Sequence, residues 1–381
     1  MQLERYGHGG DLRTAEDAYG IPADDWLDFS SNMNPWGPPE AVGDLLRDRW
    51  RDIVRYPDPA VRKLRAKLSA VYDVPMDSIL VGNGAAELIE LAVRLLRPVT
   101  TVLARPSFSE YEEAIGKIGG NIAEWPLHAE DDFRVPDMRN WVWQGTAGAN
   151  AMAGQSSCSG SLDLPRPMER TIFLGHPNNP TGRLVPDGVL RDLVQSGAQL
   201  IVDEAFMDFV PDEAGRSLLR EAAASDRVIV IRSMTKFYAV PGIRLGFLVA
   251  HPDRVRRLAA LQTQWSVNFL AQLIGEAVLD DHAYAARTRE WLARERPWLV
   301  GRLQDLGLRV VPSDVNFLLA SLPAASGFTA LRLQQAMAAH GIMIRDASLF
   351  KGLDASYFRV AIRLRHENER LIRALQEVLK R

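Results

Sequence analysis

Apolar and polar positions change period repeatedly along this chain, most informatively between residues 78 and 250. Ile79 to Val81 is a short apolar run that breaks at Gly82-Asn83-Gly84 and resumes at helical spacing through Leu96, which predicts a strand, a tight turn and a helix. TVLARPSFSEYEEAIGKIGG repeats the plan, with TVLA as strand and a helix begun by Ser107 or Ser109. Thr171 to Leu174 predicts a buried strand running into the turn HPNNPTG. AQLIVDEAFMDFV predicts a strand ending at Asp203 and Glu204, and RVIVIRSMTKFY another leading to Lys236. Strands alternating with helices predict an α/β fold with a parallel, doubly wound sheet covered on both faces. Gly84, Phe108, Asn179, Asp203, Ser233 and Lys236 each follow a strand, so all six gather at the strands' carboxyl ends, where such sheets bind ligands.

The flanks read differently. Residues 1–40, rich in Gly, Pro and Asn, predict an irregular arm. PEAVGDLLRDRW and AVRKLRAKLSAVY are helical, separated by the break RYPDP that holds Tyr56. After Ala250, residues 251–281 and 282–307 predict two long helices. LRVVPSDVNFLLASL is a strand pair, FTALRLQQAMAAHG a helix ended by Gly341, IMIRDASLF and YFRVAIRL further strands, and ENERLIRALQEVLKR a closing helix. The expected organisation is an arm over residues 1–40, a large domain over 41–255 and a small α+β domain over 256–381. From Trp141 to Arg166 small residues dominate and periodicity disappears, which predicts a flexible insertion containing Cys158.

Composition removes several classes. With 45 basic and 48 acidic residues the net charge is -3, which gives no general attraction to nucleic acid or to an anionic membrane. The single Cys158 excludes an internal disulfide and a cysteine-based metal site. No apolar run reaches the roughly 18 residues of a membrane-spanning helix, and MQLERYGHGGDLRTAEDAYG lacks the apolar core of a signal peptide. The expected compartment is the cytoplasm.

Within SMTKFYAVPGIRLGF, Lys236 stands beside Ser233 and Thr235, and Arg244 follows eight positions later. An amine nucleophile among phosphate-binding donors suits pyridoxal phosphate, an aldehyde that bonds a lysine. Taken alone, such a lysine more often sits solvated on a turn; the other five strand-end residues change that balance. Gly84, Ala85 and Ala86 open a helix whose free N–H groups and dipole favour a phosphate. Phe108 is either a core plug or a ring that stacks on the cofactor. Asp203 suits a carboxylate that keeps a pyridinium nitrogen protonated. Tyr56 either caps a core edge or reaches a neighbouring site, and His8 and Asn32 either make turns or face a ligand. Arg345 and Arg359 lie in strands, where a charge needs an anion or a partner carboxylate, whereas Arg363 and Arg365 are expected to face solvent.

HPNNPTG, DEAF, SMTKFYAVPGIRLGF and FRVAIR resemble the fold-type I pyridoxal-phosphate enzymes, in the branch that contains the histidinol-phosphate aminotransferases. HGGD, DFSSNMNP, RYPDP, GNGAAELI, PSFSEY and IRDASLF…GLD resemble more closely the L-threonine-O-3-phosphate decarboxylases of cobalamin biosynthesis, with motifs from His8 to ENERL at 367–371. The resemblance implies a mostly parallel seven-stranded sheet in the large domain and a homodimer with shared active sites. It implies Lys236 as the cofactor-bearing lysine, Asp203 on the pyridine nitrogen, Asn179 on the phenolic oxygen and Phe108 stacked on the ring. The phosphate group is expected on Gly84, Ala85, Ser233, Thr235 and Arg244, with Tyr56 given by the other subunit. Substrate binding is expected from His8, Gly9, Asn32, Asn179, Arg345 and Arg359. Phe206 stands where many aminotransferases have a tyrosine, and the 141–166 insertion is absent from the family pattern.

The expected activity is loss of CO2 from L-threonine O-3-phosphate, giving (R)-1-amino-2-propanol O-2-phosphate. The alternative is a histidinol-phosphate aminotransferase or a related class II aminotransferase. A ligand-sensing regulator with an aminotransferase-like domain is remote, because the roughly 40 irregular residues before the large domain are too few for a DNA-binding winged helix.

Overall fold

The computed structural model describes residues 9–136 and 170–380. His8, and the segment 141–166 with Cys158, lie outside the described residues. The central sheet has seven strands in the order Ile79–Gly82, Gly246–Val249, Val228–Ser233, Gln199–Asp203, Thr171–Gly175, Thr100–Arg105 and Asn121–Pro126. Neighbouring residues along a strand pack to opposite sides: Ile201 and Ile229 join Leu88 and Phe173 on one face, Val202 and Val230 join Leu174 and Phe247 on the other. Burial on both faces explains why these strands read as continuous apolar runs.

One strand departs from the parallel expectation. Gly246–Val249 runs antiparallel to both its neighbours, Ile79–Gly82 and Val228–Ser233, while the other pairings are parallel. The connection from Ser233 to Gly246 carries only a 3-10 turn at Pro241–Ile243. A parallel return needs a crossover, usually a helix, and without one the chain folds back on itself.

A second, antiparallel sheet follows the order Arg345–Asp346, Tyr357–Ala361, Phe317–Ser321, Arg309–Val310. The described part of the arm, residues 9–40, is only partly irregular. Leu12–Tyr19 is a helix whose Asp11 side chain accepts from the Thr14 N–H at 3.1 Å, and Leu27–Asp28 pairs in parallel with Ile342–Met343. Ala15 and Trp26 pack on Ala338 and Met343, so this segment takes its order from distant residues. The stretch expected as one helix over 251–281 is two, Pro252–Leu261 and Phe269–Val278. Trp265 between them has φ 58°, and Asn268 caps the second helix by accepting from the Ala271 N–H at 2.8 Å. Among the described residues no helix is long and apolar enough to cross a membrane.

Candidate active site

Lys236 lies just past the end of strand Val228–Ser233. Its Nζ donates to Thr235 Oγ1 at 3.0 Å, and that oxygen is 2.8 Å from Ser233 Oγ. Desolvation lowers the amine to about 8, with the Arg244 and Arg359 charges adding to the shift and Asp203 opposing it. A lysine so placed is neutral, and nucleophilic, at a far lower pH than one in water.

The neighbouring backbone is drawn close by glycines. Gly84 has φ +81°, and a Cβ there would sit 2.5 Å from Arg244 Nη2. The helix Gly84–Leu96 begins at this point, so its first N–H groups, Arg244, Ser233 and Thr235 converge as donors suited to a phosphate. We expect Gly84→Ala to weaken pyridoxal-phosphate binding at least tenfold in a fluorescence titration of the apo-protein, with overall fold retained by circular dichroism. Unchanged affinity would separate Gly84 from the phosphate cup.

Asp203 ends strand Gln199–Asp203 and is buried. Its Oδ2 accepts from the Tyr111 hydroxyl at 2.7 Å and its Oδ1 from the Ala205 N–H at 2.9 Å. Burial raises its pKa, while the Tyr111 and Ala205 hydrogen bonds and the Lys236 charge pull the other way. Tyr111 stacks on Phe173 with ring centroids 4.0 Å apart and meets Phe108 edge-on at 5.8 Å. Sequence reasoning missed Tyr111. Its place in the first turn after Phe108, on the inward face of helix Ser109–Lys117, is the signal that could have found it.

On the opposite side the arm meets Arg359. The guanidinium bonds Asn179 Oδ1 through Nη1 and Ser30 O through Nη2, the latter at 2.9 Å. It lies over Phe317 at 5.2 Å, and Phe317 packs edge-on against Phe206 at 5.0 Å. Phe206 therefore supports the wall behind Arg359. Asn32 is buried, and its Oδ1 has no hydrogen-bond partner among the described residues, a state that fits an atom facing a ligand.

These side chains enclose a cavity of ≈ 340 Å³. It brings together Gly9, Asn32, Ala85, Phe108, Asn179, Asp203, Ser233, Thr235, Lys236, Arg244 and Arg359 from the sequence expectations, and adds Tyr111, Ser30, Ser31 and Met33. Gly84 does not line it but touches it through Arg244. Arg345 is the cross-strand neighbour of Arg359, buried over the Phe350 ring at 5.4 Å and outside the lining. Tyr56 is 80% exposed on the outer surface and packs against Trp265 at 4.9 Å. Arg363, expected to face solvent, is instead drawn in to tie elements together, whereas Arg365 is exposed as expected while also making an ion pair. Arg363 donates to Asp28 O at 3.1 Å and pairs with Glu367, and Arg365 pairs with Glu295 at 3.0 Å. Among the described residues no group of three or more His, Cys, Asp or Glu side chains could hold a metal ion.

An amine, an opposing buried carboxylate, an aromatic ring and a phosphate cup fit a group with an aldehyde, a ring nitrogen and a phosphate. Comparison with known proteins agrees in family. Residues 24–376 match the family described as aminotransferase class I and II. The chain is 36% identical to the threonine-phosphate decarboxylase of Salmonella typhimurium, covering 100% of this chain and 98% of that protein. It is 31% identical to the histidinol-phosphate aminotransferase of Moorella thermoacetica, over 100% of this chain and 92% of the other. The crystal structure of L-threonine-O-3-phosphate decarboxylase from Porphyromonas gingivalis superposes with a TM-score of 0.77 at 25% identity, covering 93% of this chain and 99% of that one. This chain belongs to the class I and II aminotransferase family, with the fold-type I architecture.

Proposed function

We propose that this protein is a pyridoxal-phosphate-dependent decarboxylase of L-threonine O-3-phosphate, acting in cobalamin biosynthesis. The observation that carries the choice of reaction is the full-length 36% identity to a threonine-phosphate decarboxylase, and the cavity supplies residues suited to it. Bound there, pyridoxal phosphate would supply an aldehyde for the substrate amine and a protonated ring that draws electrons from the α-carbon. Lys236 captures the cofactor as a neutral amine and, once the substrate has displaced it, stands ready to return a proton to the α-carbon. Asp203 holds the proton on the ring nitrogen, and the Tyr111 hydroxyl and Ala205 N–H fix the carboxylate's orientation. Because Arg359 occupies Asn179 Oδ1, Asn179 Nδ2 is the atom left to donate to the phenolic oxygen. Arg359, with Gly9 and Asn32 of the arm, receives the substrate's anionic groups, and Arg345 backs Arg359. With pyridoxal phosphate bound, Arg359 and the arm would orient the carboxylate so that its bond to the α-carbon overlaps the ring's π system and is the one that breaks.

Release of CO2 from threonine phosphate by the pure holo-protein tests this reading. Amino transfer from histidinol phosphate to 2-oxoglutarate without CO2 release would replace it with the aminotransferase reading, which the second similarity favours.

The same reading includes a homodimer in the cytoplasm, with an arm over 1–40, a large domain over 41–255 and a small one over 256–381. Trp50, Ile53, Val54, Tyr56 and Trp265 form an exposed apolar group, and a second copy of the chain would cover it. Tyr56 then reaches the partner's phosphate cup. We expect a dimer by light scattering, and about tenfold weaker cofactor binding in Tyr56→Phe, the size of one hydrogen bond to a charged group. A fully active monomer would refute the shared site.

A further inference from the structure

From Leu27 to Asn32 the arm's hydrogen bonds to the rest of the chain run to its C-terminal part. Leu27 N and Phe29 N donate to Gly341 O and Met343 O at 2.9 and 2.7 Å, and Ala361 N donates to Phe29 O at 2.8 Å. Arg359 reaches Ser30 O, and Asn316 Nδ2 donates to Asn32 O at 3.0 Å. All these partners lie in the C-terminal part of the chain, so the substrate wall of Gly9 and Ser30 to Met33 travels with Arg359.

At Asn34 the attachment changes sides. Its backbone N–H donates to Lys236 O at 3.1 Å. Its Nδ2 donates to Phe237 O at 2.9 Å and to Thr288 Oγ1 at 2.8 Å, and its Oδ1 accepts from the Trp36 N–H at 3.2 Å. The residue is 2% exposed, and Thr288 beneath it is fully buried. One side chain thus joins the arm, the lysine loop and the helix His282–Asp305.

We infer that Asn34 is a positioning residue that sets the register between the arm's substrate wall and the Lys236 loop, and so the partition between CO2 loss and abortive amino transfer. The inference rests on the function proposed above. Lys236 fixes where the α-carbon sits, and the arm with Arg359 fixes where its carboxylate points. In the productive path the bond from the α-carbon to the carboxylate breaks, its electron pair stays on the α-carbon, CO2 leaves, and a proton returns. In the abortive path the α-proton is removed and a proton is placed on the cofactor's aldehyde carbon; water then cleaves the bond from the α-carbon to nitrogen, so that the amine stays on the cofactor and the substrate leaves as a 2-oxo acid. The two differ only in which bond stands perpendicular to the ring, so a small slip between wall and lysine favours the wrong one. Displacements on the order of 1 Å change rates by about a hundredfold.

Two variants test it. Asn34→Asp is nearly isosteric but loses both Nδ2 donations, and Thr288→Val removes only the hydroxyl. With the holo-protein and threonine phosphate, CO2 is counted against the amine form of the cofactor per turnover, and deuterium exchange of amides 28–34 is followed without substrate. In Asn34→Asp we expect the abortive fraction to rise at least fivefold, kcat to fall more than KM rises, and arm protection to drop. Thr288→Val should shift the partition the same way by less. A folded Asn34→Asp protein with unchanged partition and protection overturns the inference; so does an unmoved partition in Thr288→Val, which decides alone if the first variant fails to fold. If the wild-type protein releases no CO2, the functional reading fails, while arm protection in Asn34→Asp still decides whether this residue sets the register.

Discussion

Lys236→Ala is expected to abolish CO2 release and to remove the visible absorbance of a lysine-bound cofactor. The loss combines two roles. Without the amine the cofactor would be held only by non-covalent contacts, and no group remains to return the proton to the α-carbon. Proton transfer alone accounts for roughly 10²- to 10⁴-fold. The same amine gives a pH dependence. With its value lowered to about 8, the neutral form grows as pH rises toward 8 and saturates above it. Capture of pyridoxal phosphate by the apo-protein should therefore speed up through this range and then level off, measured by stopped-flow absorbance. A variant that keeps both the band and the activity would end the assignment of Lys236.

Asp203→Asn should leave the absorbance band in place while lowering kcat by roughly 10²- to 10³-fold, the usual cost of removing one preorganised electrostatic contact. The buried carboxylate accepts from two donors, which fix its orientation toward a positive partner, while burial raises its pKa and a positive partner would lower it again. An amide of the same shape can still accept from Tyr111 or Ala205, but it cannot hold the ring proton. The test compares kcat for CO2 release with band intensity in the same preparation. Retained kcat would remove the ring nitrogen from the account of Asp203.

Lys236, Asp203, Asn179, Phe108 and Ser233 were legible because each follows an apolar strand, and a parallel sheet delivers all such ends to one edge. The reversed strand Gly246–Val249 was not read, since its evidence is the absence of a crossover helix. The helix Leu12–Tyr19 escaped for another reason. It has only 8 residues and is ordered by Ala338 and Met343, which no local pattern reveals. Asn34 is the extreme case, with side-chain partners 203 and 254 positions away. Arg363 failed as a solvent-facing residue because Glu367, one helical turn further on, and the Asp28 carbonyl both claim it. Local patterns mark where a ligand can sit; the residues that hold two walls at a fixed spacing are set by long-range contacts.

The reversed strand also orders assembly in time. Val228–Ser233 and Gly246–Val249 are joined by a short loop, so their pairing carries little loop-closure entropy and needs nothing made later in the chain. Leu27 must wait for Ile342. During synthesis the lysine loop can therefore close while the arm is still unattached, and the nascent chain acquires a cofactor pocket before it acquires a substrate wall.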